Sequence, residues 1–153
     1  MKIYAVIDTN VIVSALLSRH HDSATVKVLD YLYDRVIVPV YNNEIIEEYV
    51  AVLKRPKFNF SGETISAVID AIREGGIDSR RIGSNEQFPD PKDVVFYEVA
   101  LANEDSFLVT GNIKHFPKKP FVVTPAEMLQ IIQEMDSPKH GLLSEPSVRY
   151  GRK

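Results

Sequence analysis

The chain predicts an α/β fold: a three-layer α/β/α sandwich around a central, mainly parallel sheet of four or five strands. Three observations lead there. Short apolar runs of strand length alternate with longer segments of helical spacing. The composition, 44% hydrophobic and 25% charged, is that of a globular domain, and 153 residues are enough to bury one core. Strands separated by a helix or a helix pair must cross over before they pair, which builds a parallel sheet covered on both faces.

Residues 3–7 form the first buried strand, and Val11, Ile12, Ala15 and Leu16 follow at helical spacing with Asn10 as a candidate cap. Ala24, Val28, Leu29, Leu32 and Tyr33 carry a second helix over 23–33, and Val36, Ile37 and Val38 make a strand before Pro39. Asn42 or Asn43 caps a helix to about Leu53, closed by Arg55-Pro56. Ser61 caps the next, with Ile65, Val68, Ile69 and Ile72 on its apolar face, and Gly75-Gly76 ends it ahead of a weak strand over 79–82. After a loop over 83–89, Asp90-Pro91 opens a helix to about Asn103. Residues 107–110 and 120–123 are strands, and Thr124-Pro125-Ala126-Glu127 opens a last helix to Met135 with the Thr and Glu of a capping box. The reading divides the chain into a domain over 1–135 and a polar tail over 136–153.

With a net charge of −3 the chain is no polycation wrapped on nucleic acid, so any phosphate contact must come from local clusters such as Lys54, Arg55 and Lys57, the pair Arg80 and Arg81, or Lys114, His115, Lys118 and Lys119. A further cluster, Arg149, Arg152 and Lys153, lies in the tail. The absence of cysteine removes disulfides, thiolate metal sites and cysteine nucleophiles. No apolar run approaches membrane-spanning length and no signal-like leader is visible, so the expectation is a cytoplasmic protein without a membrane partner.

The chemistry is carried by acids. Asp8 stops the first strand, where the crevice outside the strand ends of an α/β sheet collects ligands. Glu44 and Glu48 project from one helix face a turn apart, a like-charge pair that needs a nearby cation, with Lys54 or Arg55 as candidate compensation. Asp90 and Asp93 stand at the start of another helix, where each has an ordinary structural role as a cap or a first-turn acid. Converged carboxylates would raise one another's pKa, and a divalent cation reverses this. Oxygen donors without cysteine or clustered histidine select Mg²⁺ or Mn²⁺, and such a site suits phosphodiester hydrolysis. A haloacid-type phosphatase would want a second acid in place of Asn10, and a nucleotide-binding Rossmann or P-loop turn would want glycines that DTNVIVS lacks.

Residues 6–10, VIDTN, together with the run from Glu44 to Leu53, the run from Asp93 to Ala102 and the Leu108-Val-Thr-Gly-Asn segment, resemble the four ordered motifs of the PIN domain, a nuclease family, over about residues 1–135. Leu53-Lys-Arg-Pro-Lys-Phe and Thr-Pro-Ala-Glu at 124–127 resemble its subgroup of toxin components of toxin–antitoxin pairs. The resemblance implies a metal-dependent ribonuclease. It gives Asp8, Glu48 and Asp93 catalytic and metal-ligating roles, with Glu44, Asp90 and Asn112 as secondary ligands. Thr9, Asn10, Thr110, Lys54, Arg55 and Lys114 are expected to meet substrate. RNA is the implied substrate, an antitoxin protein the implied partner, and a homodimer or higher oligomer the expected assembly.

Glu48 is preferred to Glu47, which lies about 100° away around the helix. Many PIN domains carry an acid where Asn112 stands, and an amide offers an oxygen without charge, so a module that binds RNA or protein without cutting is the competing reading. Thr110 is read equally as a partner of an acid or water and as a plain strand-end hydroxyl. His115 reads as a loop residue rather than a general acid. His20 and His21 read as an exposed pair, and Phe58 and Phe60, like the other aromatics, as packing residues rather than a base-stacking platform.

Overall fold

The computed structural model describes residues 1–136. The expected tail therefore lies outside the described residues, apart from Asp136, which ends the last helix. Five strands, β1 (Ile3–Ile7), β2 (Ile37–Tyr41), β3 (Ile77–Asp78), β4 (Phe107–Val109) and β5 (Val122–Val123), form one sheet in the order β3-β2-β1-β4-β5 with every pairing parallel. Six α-helices flank it: α1 (Thr9–Leu17), α2 (Ala24–Tyr33), α3 (Asn43–Leu53), α4 (Gly62–Gly75), α5 (Val94–Ala102) and α6 (Pro125–Met135). The central strands read as continuous apolar runs because both faces are covered: Ala5, Val6, Ile7, Leu108 and Val109 are almost wholly buried. α5, with Val95, Phe96, Tyr97, Val99 and Ala100 buried, packs on β1, β2 and β4, while α2 and α4 pack on β2. None of the described helices is long and apolar enough to cross a membrane.

Helix starts follow local side-chain chemistry. Ser23, Asn42 and Ser61 accept backbone N–H groups of the first turns of α2, α3 and α4, and Thr124 with Glu127 closes a capping box on α6. The first helix departs from expectation, because Asp8, not Asn10, occupies its N-cap position. The expected helix from Pro91 begins as a 3₁₀ turn over Pro91–Asp93 and becomes α-helical only at Val94.

Two strands differ from the sequence reading for a shared reason. β2 runs through Pro39 to Tyr41 instead of stopping before it, and this is tolerated because β3 joins β2 only from Val40 onward. β3 lies at 77–78 rather than 79–82, directly after α4, since Gly76 lets the chain turn tightly against β2. A Cβ on Gly76 would fall 2.4 Å from the carbonyl oxygens of both Ile72 and Pro39. β4 and β5 are shorter than expected but sit within their expected ranges.

The chain fills the sheet outward on one side of β1 through β2 and β3, then crosses to the other side with β4 and β5. The direction of winding therefore reverses between β1 and β4, and the carboxyl ends of those two strands border the crevice where open α/β sheets take their ligands.

Candidate active site

Asp8 and Thr110 are the residues that follow β1 and β4 at that reversal. The Asp8 N–H donates to the Val109 carbonyl at 2.9 Å, so the carboxylate is tied to the neighbouring strand end before its side chain makes any contact. Although Asp8 occupies the N-cap position of α1, its side chain makes no capping hydrogen bond to the first turn. Instead Oδ2 accepts from the Thr110 hydroxyl at 2.8 Å and from Asn10 Nδ2 at 3.0 Å. Of the two readings of Thr110, the acid-partner one is realised, and the same hydroxyl oxygen accepts from the Asn112 N–H at 2.9 Å. Asn10 Oδ1 accepts from the Gly111 N–H at 3.0 Å, so both ends of its amide are used inside the protein.

Asp8 is only 5% exposed. Burial pushes its carboxyl up to about 6, the Thr110 hydrogen bond pulls it down, the charge of Asp93 raises it again, and bonds to the Thr9 backbone and Asn10 side chain lower it. The protein thus holds a desolvated carboxylate close to a second acid.

That second acid is Asp93. It stands at the N-cap position of α5, and like Asp8 it makes no side-chain bond to its helix. The cap role of this segment belongs to Asp90, whose Oδ1 accepts from the Lys92 N–H at 2.9 Å at an exposed position. Asp93 Oδ2 is buried without a hydrogen-bond partner, and among the described residues the only other buried side-chain nitrogen or oxygen in that condition is Thr9 Oγ1, next to Asp8. His115 Nδ1 lies 3.4 Å from Asp93 Oδ2, near enough to act on its charge. Burial and then the Asp90 charge hold Asp93 above the usual carboxylate range, His115 draws it down, and the Glu48 charge adds to the rise. His115 is therefore not a bystander in a loop; the 3₁₀ turn over Ile113–His115 brings it against the acid.

Glu48 is half-buried on α3 while Glu47 is exposed, in keeping with the preference for Glu48. Its neighbour Tyr49 is buried, and the Tyr49 hydroxyl donates to the Ile7 carbonyl at 2.5 Å, fastening α3 to the last residue of β1. Burial and the adjacent Asp8 charge push that phenol far up, so it remains a donor. The Asp93 charge thus acts on Asp8 and the Glu48 charge on Asp93, linking acids from three segments that are distant in sequence.

Glu44 belongs to a different arrangement. Arg81 Nη1 reaches Glu44 Oε2 at 2.7 Å, and Arg81 Nη2 reaches Glu98 Oε1 at 2.7 Å. The cation paired with Glu44 is thus Arg81, not Lys54 or Arg55. Glu98 is 7% exposed, and its Oε2 also accepts from the Ser84 N–H at 2.8 Å. Tyr97 donates to Glu86, so the long loop before Asp93 is fastened to α5 at several points. Sequence reasoning missed Glu98 and read Arg81 as a candidate phosphate contact, whereas it is engaged by two acids. The available signal was a lone acid inside the apolar run of α5, which has to be paired when every face of the helix is buried.

Lys54, Arg55 and Lys114 are exposed and have no ion-pair partner among the described residues. Asn112 is exposed, with its side chain engaged in no hydrogen bond among the described residues. His20 and His21 are exposed, as expected.

The donors at this rim are carboxylates, hydroxyls and an amide, which fit a hard divalent cation, and the buried Asp93 Oδ2, which has His115 Nδ1 at 3.4 Å but no hydrogen bond, is what such an ion would satisfy. Among the described residues, no three carboxylate or imidazole side chains are drawn together closely enough to hold a metal as they stand.

A family model described as PIN domain matches residues 4–114. The chain belongs to the PIN domain family. Comparison with curated proteins and with solved structures gives no match. PIN domains are generally nucleases that use divalent metals, and the five-stranded parallel sheet with its acidic rim at the β1–β4 reversal is a PIN-like α/β/α sandwich.

Proposed function

We propose that this PIN domain is a metal-dependent endoribonuclease whose acidic centre is Asp8, Glu48 and Asp93. The observation that carries the reading is that a buried acid, Asp8, and a half-buried one, Asp93, occupy helix N-cap positions and make no side-chain capping bond to either helix. Holding desolvated carboxylates without that structural return is costly, and a ligand cation accounts for it. In this reading Asp8, Glu48 and Asp93 hold Mg²⁺ or Mn²⁺, with Glu44, Asp90 and Asn112 farther out. When bound, the ion supplies an acidified water and charge stabilisation at the phosphate. Thr110 and Asn10 keep the Asp8 carboxylate oriented through its two hydrogen bonds. Lys54, Arg55 and Lys114, which have no ion-pair partner among the described residues, are free to neutralise the RNA backbone, and Thr9 flanks the substrate.

The choice of RNA, the role of toxin and an antitoxin partner rest on the motif resemblance, as does assembly into a homodimer or higher oligomer in the cytoplasm. A module that binds RNA or protein without cutting is the second reading, favoured by the uncharged, exposed Asn112. Cleavage of single-stranded RNA with Mn²⁺ titrated in separates the two. The nuclease reading expects metal-dependent cutting that Asp8→Asn abolishes while the circular dichroism stays native. Full cutting by Asp8→Asn would refute the assignment, and absence of both Mn²⁺ binding and cutting in the unmodified chain would favour the second reading.

A further inference from the structure

We infer that the cleft between α1 and the turn following α3 is a nucleobase subsite, taking one nucleotide of a single-stranded RNA beside Asp8. The inference rests on the ribonuclease reading for the identity of the nucleic acid. The cleft has a volume of about 620 Å³ and is bordered by Asn10, Val13 and Leu17 of α1, Val52 of α3, and Arg55 and Phe58 beyond it. That is ample for a nucleotide, since small-ligand pockets run from about 300 to 1,000 Å³.

Three features select this occupant. The cleft is continuous with the acidic rim: Asn10, in its wall, is the residue whose amide holds the Asp8 carboxylate. Its surface is divided as a nucleotide is divided. Leu17, 50% exposed, Val13, Val52 and the Phe58 ring offer apolar faces to a base, while Arg55 stands at the border with Lys54 and Lys57 beside it in sequence. None of these three cations has an ion-pair partner among the described residues. A concentration of unpaired positive charge in a chain of net charge −3 is complementary to phosphate.

The Phe58 ring has two neighbours that restrain it. It stacks on Phe60 with centroids 5.6 Å apart and planes at 18°, and Lys57 Nζ sits 5.2 Å from its centroid. A pre-positioned aromatic ring loses little freedom when a base packs on it, and stacking tolerates any base. Phe58, read from sequence as a packing residue, thus borders a cleft, while Phe60 behind the stack does pack against the core.

The test uses the Asp8→Asn chain, so that RNA stays whole, and a fluorescein-labelled single-stranded RNA pentamer read by anisotropy. Adding Phe58→Ala should weaken binding about 5- to 100-fold. Adding Phe58→Leu, which preserves an apolar side chain for folding, should weaken it in the same direction. On a pentamer lacking bases, Phe58→Ala should change little. Adding Arg55→Ala should flatten the slope of log affinity against log salt by about 0.7, one phosphate contact on a single strand. Irradiation of a pentamer carrying 5-iodouridine should cross-link the peptide containing Phe58.

Unchanged affinity in both Phe58 variants, equal losses with and without bases, or cross-links confined to other peptides would each overturn the subsite. Unchanged RNA affinity is also what a cleft meant for a protein partner would give. The two proposals fail separately. RNA held through Phe58 but never cut by the unmodified chain with Mn²⁺ sinks the nuclease and leaves the subsite. Normal cutting in the Phe58 variants sinks the subsite alone.

Discussion

The Thr110 hydroxyl donates to Asp8 Oδ2 at 2.8 Å, joining the ends of the two strands between which the winding of the sheet reverses. Because the same oxygen accepts from the Asn112 N–H, it sets both the first acid and the loop of the fourth motif. Thr110→Val keeps the shape and removes both bonds. The Asp8 midpoint should then move above about 6, since the bond that lowers it is gone, and stability at pH 8 should fall by about 1–2 kcal/mol. Carbon-detected NMR titration of Asp8 together with urea unfolding would check this; an unmoved midpoint would show that the hydroxyl does not govern the carboxylate.

Asp8 also gives the fold a signed pH dependence. Its folded pKa of about 6 lies above the ordinary 3.8, so the native state binds the proton more tightly than the unfolded chain does. Its contribution to stability is therefore most favourable below about pH 4, declines as pH rises toward 6, and is flat above. The full penalty at pH 8 is of order 3 kcal/mol from a shift of about two units. Asp8→Asn, which lacks this titration, should unfold at a higher urea concentration than the unmodified chain at pH 8, with the gap closing near pH 4. A gap that stays constant with pH would assign the difference to something other than the Asp8 charge.

Arg81 couples an exposed and a buried acid. Arg81→Met would strand Glu98, which is 7% exposed, without its cation. Breaking a buried pair from one side costs about 3–5 kcal/mol, and the partial exposure of Arg81 places the expected loss at or below the lower end. The double variant Arg81→Met with Glu98→Gln should recover part of it. Chemical denaturation of the three variants provides the comparison, and additive losses in the double variant would contradict direct coupling.

Gly76 passes close to backbone of both α4 and β2. Any side chain there would drive a Cβ to within 2.4 Å of two backbone carbonyl oxygens, neither of which can swing aside. Gly76→Ala should therefore destabilise by more than about 2 kcal/mol by shifting β3 off Tyr41, well beyond an ordinary surface substitution. Gly83→Ala, where a Cβ meets nothing, serves as the control, and equal melting temperatures for the two variants would refute the packing argument.

Much of the architecture was readable because it is written locally. Ser23, Asn42, Ser61 and Thr124 bond to N–H groups within three residues, so each helix start is visible in a short window. β3 was misplaced because its position depends on Gly76 fitting under Pro39, a contact between segments far apart in sequence. The coupled acids were singled out one by one, yet their ordinary roles as caps could be dismissed for Asp93 and upheld for Asp90 only once side-chain directions were known. The approach of His115 to Asp93, and the grip of Arg81 on Glu44 and Glu98, have no signature in spacing, because each joins loops to helices that only the fold brings near.

The middle position of β1 has a bearing on how the protein is made. β1 is made well before its second neighbour, residues 107–109, so its hydrogen bonding stays half complete until that strand has been translated. An interrupted product ending before that point would carry Asp8 with no Thr110 to receive it, and without Lys114 or His115. On the nuclease reading proposed above, the acidic rim is complete only in polypeptides made past the fourth strand.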